Sequence, residues 1–185
     1  MIVVPDADQD STAKGLLASS MGSAGQRCMA ASVAVAVADV DPIIDQLVEE
    51  ARNYKPGVDM GTIVSKTALD RITNYIDEAE KMGAKILIDG RNVTPPEGYE
   101  DGYWLGATIL DWVDPDWPSA TDEIFGPVLT IIRANTLEDA MKIENGNQYG
   151  NAAAVFTTSG QVAKTISESA SAGMIGINIG VPVPR

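Results

Sequence analysis

The chain has no histidine, one cysteine, and half as many basic as acidic residues: 13 Lys and Arg against 26 Asp and Glu over 185 positions. Without histidine, neither a Ser-His-Asp triad nor a Cys-His dyad can form, and one cysteine leaves no zinc site of the common kinds. One cysteine also excludes an intrachain disulfide. A formal charge of −13 argues against a general nucleic-acid binder, because neutralising phosphates takes clustered Lys and Arg. The surplus acid reads as a well-solvated surface. No apolar run approaches the roughly 20 residues that span a bilayer. Residues 1–6 lack the basic region and apolar stretch of a secretory leader. A cytoplasmic protein with neither membrane nor nucleic-acid partner is the expectation.

What is present is ordinary globular material, 45% hydrophobic and 21% charged, enough for one domain with a sizeable core. The run Asp6-Ala7-Asp8-Gln9-Asp10 imitates the start of a calcium loop. Ser11 then stands where the turn glycine should be and Leu17 where the bidentate glutamate should be, so these aspartates read as the start of a helix over 10–20 and the metal expectation is none. Alternating Val and Ala over 32–39 suits a strand packed on both faces. Helices follow from Asp41-Pro42 (Ile43, Ile44, Leu47, Val48 and Ala51 inward) and over 65–82, with Leu69, Ile72, Ile76 and Ala79 as the buried stripe. Strands are expected at 84–88, 103–104, 107–113, 128–133, 152–157 and 174–179, with a turn at 114–118. Two more helices lie between the last three strands, one capped by Thr136 and one over 159–172. The fold class is α/β: a largely parallel sheet covered by helices on both faces. No internal repeat or low-complexity linker divides the chain.

Two stretches carry chemistry. In Gly22-Ser23-Ala24-Gly25-Gln26-Arg27-Cys28-Met29-Ala30 the lone cysteine follows small residues and an arginine. Nearby positive charge favours a reactive thiolate, and small residues let backbone N–H groups approach developing negative charge. The plainer reading makes Cys28 a small buried hydrophobe. In Thr121-Asp122-Glu123-Ile124-Phe125-Gly126-Pro127-Val128 a carboxylate could accept from sugar hydroxyls while a phenyl ring covers a flat heterocycle. The plainer reading is a surface turn with Phe125 in the core.

Gly25-Gln26-Arg27-Cys28 followed far downstream by Glu123-Ile124-Phe125-Gly126-Pro127-Val128 resembles the aldehyde dehydrogenase superfamily. So do Gly83-Ala84-Lys85, Tyr149-Gly150-Asn151, Ala154-Val155-Phe156-Thr157 and Gly176-Ile177-Asn178. The resemblance runs in order along essentially the whole chain. Arginine directly before the cysteine, with the Val181-Pro182-Val183-Pro184 ending, is similar to the CoA-acylating branch that acts on malonate and methylmalonate semialdehydes.

The resemblance implies the family's catalytic-domain fold and a thioester mechanism. Cys28 is then the nucleophile, with its own N–H holding part of the oxyanion. Arg27 pairs with the carboxylate of a small semialdehyde substrate. Glu123 holds the nicotinamide ribose of NAD and Phe125 lies beside the nicotinamide, with coenzyme A as acyl acceptor. No Gly-x-Gly-x-x-Gly follows a strand here. Residues 1–185 therefore read as a single catalytic domain. The NAD-binding domain, with the family's oxyanion asparagine and general base, is expected upstream, and an oligomerisation segment downstream. The complete enzyme is expected to be a homo-oligomer. The alternatives are a truncated, non-catalytic homologue serving as an assembly or interaction module, and a hydrolytic aldehyde dehydrogenase of other specificity.

Overall fold

Along Val33–Val37 valine alternates with alanine, and the alternation sorts the strand between two cores. Ala34 and Ala36 pack into one, Val35 and Val37 into the other. The structure, a computed structural model, describes residues 1–181. Pro182, Val183, Pro184 and Arg185, most of the proline-rich ending, lie outside the described residues. In chain order the elements are β1 (Ile2–Val3), α1 (Gln9–Met21), β2 (Val33–Val37), α2 (Asp41–Arg52), α3 (Lys66–Met82), β3 (Lys85–Ile88) and β4 (Thr108–Asp111). There follow α4 (Pro118–Thr121), β5 (Val128–Ala134), α5 (Leu137–Gly146), β6 (Ala153–Phe156), α6 (Gly160–Ser169) and β7 (Ile175–Ile177).

One sheet runs in the order β3-β4-β5-β2-β1-β6-β7. Every neighbouring pair is parallel except β3 with β4. The first core takes Leu16, Leu47, Ile72 and Ile76 from α1, α2 and α3. The second takes Ala140, Met141 and Ile166 from α5 and α6. The sheet is thus covered on both faces, which is why β2 is apolar on both.

Helices α1, α3 and α5 begin on side-chain caps, while α2 opens without one, on Asp41-Pro42. Asp8 accepts from Ser11 N (2.9 Å) at the head of α1, Ser65 from Ala68 N (3.2 Å) at α3, and Thr136 from Asp139 N (3.1 Å) at α5. Gly83, at φ +109, closes α3 in the left-handed conformation that glycine adopts without strain. Of the α3 stripe, Ile72, Ile76 and Ala79 are buried and Leu69 half-buried.

Two expectations are corrected. Residues 103–104 form no strand: Tyr103 gives its carbonyl to Ile63 N (2.8 Å), and the Trp104 indole donates to the Tyr99 carbonyl (2.7 Å). This backbone is satisfied by loops rather than by a ladder. The turn expected at 114–118 runs on into the short helix α4, because Pro118 sits at a first-turn position where its missing N–H costs nothing.

Asp6, just after β1, is tied to Thr157 and Thr158 in the segment that joins β6 to α6. Its carboxylate accepts from Thr157 Oγ1 (2.8 Å), Thr158 N (3.1 Å) and Thr158 Oγ1 (2.9 Å). Partial desolvation works against the ionised form, but the hydrogen bonds together outweigh it and hold the carboxyl below its usual range. With the folded pKa depressed, the stabilisation is present above the unfolded value and is lost as pH falls through the folded one. In urea titrations the stability gap between wild type and Asp6→Asn should hold from neutral pH to about 5 and shrink below about 4.

Candidate active site

After Met21 the chain leaves α1 through a tight turn over Gly22–Gly25, with Ser23, Ala24 and Gly25 at φ 54, 53 and 66. It then presents Gln26, Arg27 and Cys28 in succession, each tied by a different contact. The Gln26 side chain donates to the Thr62 carbonyl (3.0 Å) and accepts from Val64 N (2.9 Å), bridging one extended segment. Arg27 Nη2 donates to the carbonyls of Ala18 (3.0 Å) and Ser19 (3.3 Å), capping the negative end of α1. Gly22 makes room for it, since a Cβ there would lie 2.7 Å from Nη2. Arg27 Nε is buried without a hydrogen-bond partner among the described residues. Cys28 is an exposed free thiol, not a packed one. Its carbonyl accepts from Asn151 Nδ2 (3.2 Å). Among the described residues its N–H donates to no protein acceptor, so it is available to a developing oxyanion.

The second stretch is held against the first. A Cβ on Gly25 would overlap the Gly126 carbonyl oxygen, and one on Gly126 would press on Ile72 at 2.7 Å. The two backbones therefore touch, with the fully buried Ile72 of α3 beneath. α3 also sends Arg71 Nη1 to the Glu123 carbonyl (3.2 Å) and the Tyr75 hydroxyl to Asp122 Oδ2 (2.9 Å). Burial and this bond to Asp122 raise the Tyr75 phenol above its ordinary range. Ile124 points into the core, at 1% exposure, while Phe125 stays out, at 37%. Phe125 is held outward at φ +54, a left-handed conformation that is strained for an aromatic residue.

One cleft of ≈ 570 Å³ is lined by Arg27, Cys28, Glu123, Phe125, Tyr149 and Asn151, among others. It collects all four residues singled out from sequence. It opens mainly at the amino ends of the strands, where Ser32 precedes β2, Gly126 precedes β5 and Ala152 precedes β6. Of the supporting residues, Gln26 and Asn151 stand in motifs quoted above without a role of their own, and Arg71 and Tyr75 carry no signal in the sequence. Among the described residues no three His, Cys, Asp or Glu side chains converge as a metal site, and no helix is long and apolar enough to cross a membrane.

An exposed thiol with an open N–H, an arginine behind it and a carboxylate–aromatic pair in the same cleft suit covalent chemistry on a carbonyl. The profile of the aldehyde dehydrogenase family matches residues 1–184. The chain belongs to the aldehyde dehydrogenase family. Over 184 residues it is 46% identical to the acylating, mitochondrial methylmalonate-semialdehyde dehydrogenase of Arabidopsis thaliana, covering 96% of this chain and 30% of that protein. The malonate-semialdehyde dehydrogenase of Pseudomonas aeruginosa is 39% identical, covering 99% of this chain and 38% of that one. Among solved structures, a Sinorhizobium meliloti protein assigned as a methylmalonate-semialdehyde dehydrogenase and complexed with NAD superposes at TM-score 0.95. It is 40% identical, and the match covers 100% of this chain and 39% of that one. This aldehyde dehydrogenase chain thus spans well under half the length of the relatives it matches.

Proposed function

We propose that the chain is the thiol-bearing catalytic part of an NAD-dependent, CoA-acylating dehydrogenase of malonate or methylmalonate semialdehyde. The observation that carries this reading is the single cleft in which the exposed Cys28 meets Arg27, Glu123 and Phe125.

Cys28 Sγ attacks the aldehyde carbon, and the Cys28 N–H donates to the oxygen as it becomes an alkoxide. The exposed Glu123 carboxylate and the out-turned Phe125 ring fit a ribose and a flat heterocycle, so these two would hold the nicotinamide half of NAD. Bound there, NAD would supply the acceptor for the hydride that the substrate carbon loses. What remains on Cys28 is a thioester with a carboxylate β to its carbonyl. Loss of carbon dioxide leaves the electron pair on the α-carbon, which takes a proton. A CoA thiolate then displaces Cys28, releasing propionyl-CoA or acetyl-CoA and restoring the free thiol. The names of relatives as acylating support CoA as acceptor.

Arg27 would hold the substrate carboxylate through Nη1, since Nη2 is bonded to Ala18 and Ser19 and Nε is buried. The complete enzyme is proposed as a cytoplasmic homo-oligomer in which an upstream domain completes the cofactor site. Cell fractionation checks the location, since the Arabidopsis relative is named mitochondrial.

The test is steady-state turnover of the complete enzyme with semialdehyde, NAD and CoA. Acyl-CoA release supports the reading. Free acid formed without CoA would mark a hydrolytic dehydrogenase, and no turnover a non-catalytic homologue. Arg27→Met also removes the bonds to Ala18 and Ser19, so propanal serves as the control for the loosened loop: KM for the carboxylated semialdehyde should rise about tenfold more than KM for propanal, one lost charge-assisted contact. Equal effects on both aldehydes would remove the carboxylate role.

A further inference from the structure

The loop between α5 and β6 carries three side-chain amides that reach both halves of the cleft. Asn147 Nδ2 donates to the Ala120 carbonyl (3.5 Å) and Gln148 Nε2 to the Thr121 carbonyl (3.1 Å), on the helical turn that leads into Glu123. Asn151 Nδ2 donates to the Cys28 carbonyl across 123 residues of sequence. The loop is itself braced, with Tyr149 N on Asn147 Oδ1 (2.9 Å) and Gly173 N on the Gly150 carbonyl (2.8 Å).

We infer that Asn151 is a positioning residue for the Cys28 thiol, acting through the Cys28 carbonyl. The inference rests on the nucleophile reading given above. Before the cysteine the loop is anchored by Gln26 and Arg27. After it, Ala30 N returns to the Arg27 carbonyl (3.0 Å) and Ala31 N to the Ser19 carbonyl (3.0 Å). Between these anchors stands the peptide joining Cys28 to Met29, and among the described residues the Asn151 amide is its only hydrogen-bond partner. Fixing that carbonyl fixes ψ of Cys28. With ψ set, Sγ and the open Cys28 N–H keep one orientation toward a substrate carbon, and near-attack geometry is sensitive to such placement. Asn151 and Cys28 are both exposed, so this bond adds little to global stability and its removal leaves a folded protein.

The experiment uses the complete enzyme and three proteins: wild type, Asn151→Ala and Asn151→Gln. The iodoacetamide alkylation rate of Cys28 is followed against pH by mass spectrometry, beside kcat, KM for semialdehyde, KM for NAD and Tm. For Asn151→Ala the expected result is a kcat about tenfold lower and an altered alkylation profile, with Tm and KM for NAD unchanged. Asn151→Gln, which keeps a donor on a flexible stem, should recover part of both. Wild-type kcat and alkylation in Asn151→Ala would overturn the assignment, as would equal impairment in both variants or a change in Tm alone. If Cys28→Ser keeps full turnover, it is the nucleophile reading that fails. An inactive Cys28→Ser beside an unaltered Asn151→Ala removes only the positioning role.

Discussion

Replacing Cys28 with serine in the complete enzyme should lower kcat/KM at least about 10⁴-fold, because the chain holds no second thiol to take over as nucleophile. Histidine is absent from the chain, so nothing of that kind within it can activate a serine hydroxyl in the sulfur's place. Cofactor affinity should stay within about threefold, since Glu123 and Phe125 are untouched and small changes of this size lie below 1 kcal/mol. The fold should also tolerate the change. Cys28 is exposed, and swapping sulfur for oxygen at the surface disturbs no core contact. Stopped-flow detection of NADH checks the chemistry, and isothermal titration with NAD checks binding. A Cys28→Ser enzyme with more than a tenth of wild-type activity would mean that another group attacks the aldehyde.

The second large effect belongs to Gly25→Ala. Two independent costs meet at this position. Gly25 has φ +66, where an L side chain is strained by about 1–2 kcal/mol. Its Cβ would also overlap the Gly126 carbonyl oxygen, and backbone cannot turn aside as the end of a side chain can. Overpacking of this kind adds a further 1–3 kcal/mol or so. A loss of about 3 kcal/mol or more is expected in urea unfolding, together with a large drop in activity, because the only relief is to separate the Cys28 loop from the Glu123–Phe125 turn. Gly61→Ala is the control. No atom lies within 4 Å of the Cβ it would gain, so its stability should stay within about 0.5 kcal/mol of wild type.

Periodicity and end signals made most of the fold legible. The Val/Ala alternation of β2 announces burial on both faces, and Asp8, Ser65 and Thr136 announce helix starts with their own side chains. Aromatic residues misled at 103–104: β-propensity is a fit to a half-buried pleat, and the Tyr103 carbonyl and Trp104 indole are satisfied by loop partners instead.

In the site, residue types alone left plainer readings open for the Cys28 loop and the Glu123–Phe125 turn, and it was the resemblance to the aldehyde dehydrogenases, carried by motifs spread along the chain, that implied roles for Cys28, Arg27, Glu123 and Phe125. What holds them was not legible. Gln26 meets the 62–64 segment, Arg71 meets the Glu123 carbonyl, and Asn151 meets the Cys28 carbonyl. A polar side chain that finds a distant backbone group leaves no period and no local signature. Nor could the sequence show that Arg27 would turn part of its guanidinium to the end of α1, because that depends on how the Gly22–Gly25 turn folds back.

The most direct measurement is to trap the acyl group. The complete enzyme is mixed with methylmalonate semialdehyde and NAD in the absence of CoA, quenched in acid within one turnover, and digested with trypsin. Cleavage after Arg27 places Cys28 at the head of its own peptide, ending at Arg52. The expected result is a propionyl group on that peptide, lost when CoA is added before the quench and recovered as propionyl-CoA. An unmodified Cys28 peptide from a sample that has already formed an equivalent of NADH would contradict the thioester at Cys28.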